Sequence, residues 1–164
     1  MTCQGRLGWG WMREPRWLDE AEERAWRGYR QMRALLDLRI TRDLAADSRL
    51  SDADYDVLSN LSESEGRRMR LNELAAHMLW SASRLSHQIT RMQRRGLVTR
   101  ADDPSDARGA VVVLTDDGWE EIKRAAPLHV ESVRRHFIDL MTPEQADNLA
   151  DVAEKVVGHL NEEH

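Results

Sequence analysis

The chain has one cysteine in 164 residues, so an internal disulfide is excluded and no cysteine cluster is available to hold zinc. That cysteine, Cys3, stands in a glycine-rich arm ahead of the first periodic segment, a poor place for a thiol sensor. No apolar run approaches the roughly 18 residues that a membrane span requires. The opening MTCQGRLGWGWMREPRW lacks the apolar stretch of a secretory signal and is dotted with arginine, so a cytoplasmic location is expected. Internal repeats and low-complexity segments are absent. Charged residues make up 32% and mean hydropathy is −0.66, yet apolar residues recur regularly, which argues a folded chain. The length suits one domain over residues 17–164 behind an arm over residues 1–16, and Met12 is an alternative start.

A net charge of −5 argues against attraction to nucleic acid through overall charge, but the average conceals an asymmetry. From Arg67 to Arg100 there are eight arginines against a single glutamate, Glu73, a local net of +7 within a remainder of −12. A basic block in an acidic frame fits a nucleic-acid-binding module carried on a separate scaffold, although a solvated helix face would show the same charge.

Apolar positions from Leu18 through Ala21, Ala25, Tyr29, Met32, Leu36 and Ile40 to Leu44 step by three or four, predicting one long amphipathic helix from Trp17 to about Ala46. Ser51 with Asp54 forms a capping-box pattern for a second, short helix that stops near Gly66. Leu71–Met78 reads as a third helix, and Ser81 opens a fourth that ends at Gly96. In the fourth, Leu85, Ile89 and Met92 face the core, which turns Ser83, Arg84, Ser86, His87, Thr90, Arg91 and Arg94 outward. Two β-favouring runs, 97–100 and 110–114, flank a polar tip over 102–109 and read as a hairpin. Thr115 caps a further helix whose apolar positions are Trp119, Ile122, Ala126, Val130, Val133 and Phe137, and Thr142-Pro143-Glu144-Gln145 starts the last, with Leu149, Val152, Val156 and Leu160 on one stripe. The fold class is mainly α (α+β), since strands and helices do not alternate as in a parallel sheet.

A short helix, a tight turn at Leu79-Trp80 and a helix with polar and cationic first turns make a helix-turn-helix over about 51–115, with the hairpin as a wing. Base edges are read by short polar and arginine side chains near the start of the second helix, and Ser81 caps amides that could otherwise face phosphate. Arg108 at the wing is a long cation able to reach a minor groove, with Asp106 placed to hold its guanidinium. An enzyme would have to use Ser81, Ser83, Ser86, His77 and His87, but no glycine-framed nucleophile turn or paired acid orients a base, so no catalysis and no cofactor are expected. His129 and His136 stand seven apart with Asp139 beyond; a polar helix edge accounts for them without a metal.

The runs LNELAAHMLWSASRLSHQITRMQRRGLVTR and DARGAVVVLTDDGWE resemble the winged helix-turn-helix of the MarR family (multiple antibiotic resistance regulators) of bacterial transcription factors. Its Asp-x-Arg wing with a following Leu-Thr is matched by Asp106, Arg108, Leu114 and Thr115, and the likeness covers roughly Trp17 to His159. The resemblance implies a homodimer built from interleaved first and last helices, placing two winged domains on a pseudo-palindromic double-stranded DNA site. It implies that Ser83, Arg84, Ser86 and His87 face base edges and that Ser81, Thr90 and Arg91 lie near the backbone. Arg94 and Arg95 extend that cationic surface. It further implies a repressor released by a small aromatic or phenolic effector between stem and DNA-binding lobe; Trp26, Tyr29 and Met32 could line such a site, although a stripe at helical spacing also reads as core. The family often has glycine in the turn where this chain has Leu79, a residue that disfavours positive φ.

The residues alone also argue a dimer, because the stripes at about 17–46 and 116–162 need covering. A winged helix used only for protein contact is the alternative, but it does not need Arg84, Arg91, Arg94, Arg95 and Arg108 on one surface.

Overall fold

A computed structural model describes the backbone of residues 15–103 and 106–162 and, outside 103–109, their side chains. Cys3, Met12 and most of the arm, with the side chains of Asp106 and Arg108, lie outside the described residues. The elements run α1 (Glu20–Asp47), α2 (Asp52–Glu63), β1 (Arg68–Arg70), α3 (Leu71–His77), α4 (Ala82–Arg94), β2 (Val98–Asp103), β3 (Asp106–Leu114), α5 (Asp116–His136) and α6 (Pro143–Glu162), with 3-10 turns before β1 and before α6. The chain divides into two compact units, Met1–Leu35 and Leu36–His164.

Helix starts follow from side-chain caps. Asp19 and Glu22 bond each other's backbone amides at 2.8 and 2.9 Å, and Thr142 and Gln145 do the same at 3.2 and 2.9 Å. Ser51 Oγ accepts from Asp54 N (3.2 Å) while Asp54 Oδ2 accepts from Ser51 N (2.9 Å), the reciprocal box expected there. Thr115 Oγ1 accepts from Gly118 N at 3.0 Å and donates to Leu97 O, fixing α5 to the start of β2.

In the first unit, Trp26 and Tyr29 are exposed on α1, and their rings stack with centroids 5.8 Å apart. The core lies in the second unit. Leu58 and Leu61 of α2, Leu74 of α3, Leu85, Ile89 and Met92 of α4, Val112 of β3 and Ile122 of α5 converge in it, each worth about 1.5–3 kcal/mol of burial. Leu44 joins from the end of α1, where Asp43 accepts from Ser132 Oγ (2.8 Å) on α5 and pairs with Arg39 (3.0 Å). The Ser132 hydrogen bond, aided by His136 and Arg39, holds the Asp43 carboxyl below its usual range despite the opposing effect of burial.

Three features depart from the sequence reading. β1, which pairs antiparallel with β3 (Arg68↔Val113, Arg70↔Val111), makes a third strand in the order β1-β3-β2. At three residues it is too short to carry a readable period. The polar tip is mostly strand: pairing continues from Val98↔Leu114 through Asp102↔Ala110 to Asp103↔Asp106, with an irregularity between Asp102 and Asp103. Turn-forming composition therefore overstated the loop. On α5, Val130 is 53% exposed while Ser132 is buried at Asp43, so the inward face there is chosen by a hydrogen bond rather than by the apolar stripe.

Among the described glycines, Gly118 stands closest to another segment. A Cβ there would stand 2.1 Å from Leu97 O and 2.8 Å from Leu114 Cδ1, so α5 would have to shift away from the sheet to admit it. Gly118→Ala is expected to cost about 2 kcal/mol, read as a lower urea midpoint with unchanged m.

Candidate nucleic-acid interface

The turn between α3 and α4 is closed by Trp80 N donating to Ala75 O (2.9 Å) and Leu79 N to Ala76 O (3.1 Å). Leu79 takes φ +52 and is 92% exposed. The turn thus keeps the left-handed geometry that favours glycine, at a cost of about 1–2 kcal/mol for a branched residue. Ser81 then caps α4, its Oγ accepting from Arg84 N at 3.2 Å.

Leu85, Gln88, Ile89 and Met92 anchor α4 inward. Ser81, Ser83, Arg84, His87, Arg91, Arg94 and Arg95 are exposed, and Ser86 and Thr90 are half-buried. The predicted outward set therefore shares one helix. Its members nevertheless differ in what holds them.

Ser86 and Thr90 sit under a side chain from the wing. Arg100 Nη2 on β2 donates to Ser86 O (2.9 Å) and Ser86 Oγ (3.0 Å) and lies 3.4 Å from Thr90 Oγ1. Because the Ser86 hydroxyl accepts from Arg100, its own proton remains available to an acceptor outside. Arg91 Nη2 donates to Gln88 Oε1. Arg95 donates through Nη1 to Asp54 Oδ2 (2.6 Å) and through Nη2 to Arg49 O (2.7 Å), so its charge is fixed at the end of α4 beside α2.

Asp54 is the hub of that joint. It is 3% exposed and also accepts from Gln88 Nε2 at 2.8 Å. Burial pushes its carboxyl up, but the Ser51 amide and the Arg95 guanidinium outweigh burial and hold it below the usual range. A shallow groove of ≈ 430 Å³ opens beside it, lined by Arg49, Ser51, Gln88, Arg91 and Arg95. Gln88 is a polar residue inside the Leu85, Ile89, Met92 stripe, a position that signals a buried partner.

Arg84 is held differently. Its guanidinium carbon lies 3.8 Å from the centroid of the Trp80 ring, and no hydrogen bond or ion pair engages it among the described residues. The Trp80 ring is half-buried against the core. On the α2 side, Asp56 has its carboxyl raised by burial and by Asp52, with Arg84 opposing the rise.

The remaining candidates lie elsewhere. Asp106 and Arg108 fall on β3, in the wing hairpin that follows α4. Trp26, Tyr29 and Met32 are 40–52% exposed on α1. His129 and His136 have separate partners: the His129 ring lies tilted against Tyr55 with centroids 4.2 Å apart and burial lowers its pKa, whereas His136 Nε2 stands 2.9 Å from Asp43 Oδ2. Among the described residues no three metal-ligating side chains come together, and no helix is long and apolar enough to cross a membrane.

A family model described as MarR family matches residues 50–109, the segment from the end of the α1–α2 connection into β3 of the wing. The structure resembles that of AbsC, a MarR family transcriptional regulator from Streptomyces coelicolor, with TM-score 0.86 and 46% identity over 90% of this chain and 99% of that one. It also resembles Sco3205, a MarR family transcriptional regulator from the same organism solved in complex with DNA, with TM-score 0.86 and 41% identity over 90% and 92% of the two chains. Among curated proteins, an uncharacterized HTH-type transcriptional regulator of Bacillus subtilis, YkoM, is 28% identical over 90 residues, 55% of this chain and 58% of YkoM.

Proposed function

Because this chain belongs to the MarR family of DNA-binding transcriptional regulators, which are not enzymes, we propose that it acts as a homodimeric, ligand-responsive repressor on a pseudo-palindromic DNA site. The observation that carries this reading is α4, a capped helix whose outward side presents Ser83, Arg84 and His87 beside the cations Arg91 and Arg94. Short polar and arginine side chains on the first turns suit base edges in the major groove, and cations further along suit phosphates.

Support for the dimer comes from apolar faces left uncovered in a single chain. On α6, Val152, Val156, Val157 and Leu160 are each more than half exposed. Trp17, Leu18, Trp26 and Leu35 are likewise exposed in the α1 segment. Faces of this kind need a partner, and a two-fold copy would set two reading helices about one DNA turn apart. Asp106 and Arg108 are assigned to the wing's minor-groove contact, and Ser81, Thr90 and Arg95 to its flank near the backbone. The exposed Trp26–Tyr29 stack with Met32 one turn on supports a site for a flat aromatic or phenolic effector that releases the DNA. A DNA-binding role of this kind fits a cytoplasmic location.

Selection of bound duplexes from a random pool tests the reading. An inverted repeat with half-site centres about 10 base pairs apart is the expected product; a pool without enrichment would overturn the assignment. On the selected site, Arg84→Ala should weaken binding about 10- to 100-fold while sparing random duplex, whereas Arg94→Ala should weaken both alike.

A further inference from the structure

Three arginines near the reading side are committed to protein acceptors: Arg91 to Gln88, Arg95 to Asp54 and Arg49 O, and Arg100 to Ser86. Among these four, Arg84 alone rests on an aromatic ring and has no hydrogen-bonded acceptor for its guanidinium among the described residues. Its carbon lies 3.8 Å from the Trp80 centroid, a contact with the ring face that needs no N–H donor.

Both ends of this contact are anchored. Trp80 packs against the core, and its N–H bond to Ala75 O (2.9 Å) fixes its backbone at the helix-turn-helix turn. Arg84 sits in the first turn of α4, its amide bound to Ser81 Oγ. An arginine on a flexible stem loses rotamer freedom when it engages a base; one already laid on a rigid shelf loses less. Two parallel N–H donors on a pre-oriented edge match guanine, which offers O6 and N7 side by side in the major groove. Adenine presents a donor in place of O6 and would meet the guanidinium with like polarity.

We propose that Trp80 is a positioning residue that makes Arg84 a guanine reader, so that each half-site carries a G·C pair whose recognition depends on the Trp80 ring. The proposal rests on the DNA-binding reading above and adds both the base and the residue that enforces it. Stacking acts on discrimination rather than on charge, so its loss affects one base pair and leaves the electrostatic contribution in place.

The test uses the full chain, the selected duplex, a random duplex, and selected duplexes with each G·C pair changed in turn to A·T. One G·C pair per half-site should matter for binding in wild type and cease to matter in the Arg84→Ala variant. Trp80→Leu, which keeps an apolar side chain on the core, should reduce discrimination at that same pair about three- to tenfold, with random-duplex affinity and its salt dependence unchanged. Trp80→Phe, which retains a ring, should restore most of it. In the Arg84→Ala background, Trp80→Leu should have no further effect on discrimination. Equal loss on selected and random duplex, or an additive loss with Arg84→Ala, would overturn the proposal, as would full discrimination by Trp80→Leu. Should Trp80→Leu unfold the chain, Trp80→Phe and Trp80→Met compared at matched helicity decide the same question: discrimination kept by the ring alone supports the shelf, and discrimination kept equally by both refutes it. Wild-type protein that prefers no sequence at all would instead fail the DNA-binding reading itself.

Discussion

Asp54→Ala is expected to lower stability by about 3 kcal/mol, a fall in Tm of about 6–12 °C for a chain of this size. Three donors lose their acceptor at once: the Ser51 amide at 2.9 Å, the Gln88 side chain at 2.8 Å and the Arg95 guanidinium at 2.6 Å. Gln88 is 2% exposed and has nowhere to turn, so its amide carries a desolvation penalty. Arg95, whose side chain is 40% exposed, regains water and softens the loss, which places the effect at the lower end for a broken buried pair. The pH dependence has a definite sign. The folded carboxyl titrates below its unfolded value of about 3.9, so its contribution is fully present above that pH and is lost as pH falls through the folded pKa. The gap between wild type and Asp54→Ala should therefore be widest near neutrality and close in acid. Chemical denaturation of both proteins at pH 7 and at a series of pH values below about 4 follows the narrowing.

The double variant Val156→Glu, Leu160→Glu is expected to convert the protein to a monomer and to weaken binding to an inverted repeat by about 10²–10⁴-fold. Both positions are more than half exposed in the single chain, so the charges cost the fold of one protomer little. In the proposed two-fold assembly the same carboxylates would be buried without partners. Loss of the second reading head then removes the gain from simultaneous engagement of two half-sites. Sedimentation equilibrium and titration on full and half sites separate the two effects: full-site affinity should collapse toward that of one half-site. A variant that stays dimeric and binds normally would place the interface elsewhere.

Local rules carried most of the fold. Ser51 with Asp54 and Thr142 with Gln145 announce helix starts because a cap is a contact between residues three apart, and both boxes are formed. The stripe Leu85, Ile89, Met92 set the inward side of α4 and, by exclusion, its reading side. The features that no local pattern signals depend on distant segments. β1 exists because β3 offers it an edge, and nothing in Arg68–Arg70 alone requires a strand. Asp54, Gln88 and Arg95 come from two helices, so the cap residue's second role at the end of α4 is invisible to spacing. The same holds for Arg100, counted in the basic block by charge but acting through its grip on Ser86. Trp80 was legible as a bulky residue in a turn. Its relation to Arg84, four residues on, required knowing how the turn aims the ring.

Leu79 shows the opposite case. Its left-handed φ of +52 is what the turn demands, and a residue that resists this geometry occupies it nonetheless. The tertiary packing of α3 and α4 through Leu74, Leu85 and Ile89 outweighs a local cost of about 1–2 kcal/mol.

The basic block inside an acidic chain makes the central claim measurable in one titration series. Wild-type protein is titrated onto the selected inverted repeat and onto a scrambled duplex of equal length, at 50 and 200 mM salt. The account predicts at least about a 10³-fold preference for the repeat, with affinity for both duplexes falling steeply as salt rises. Equal affinity for the two duplexes, or binding indifferent to salt, would contradict it.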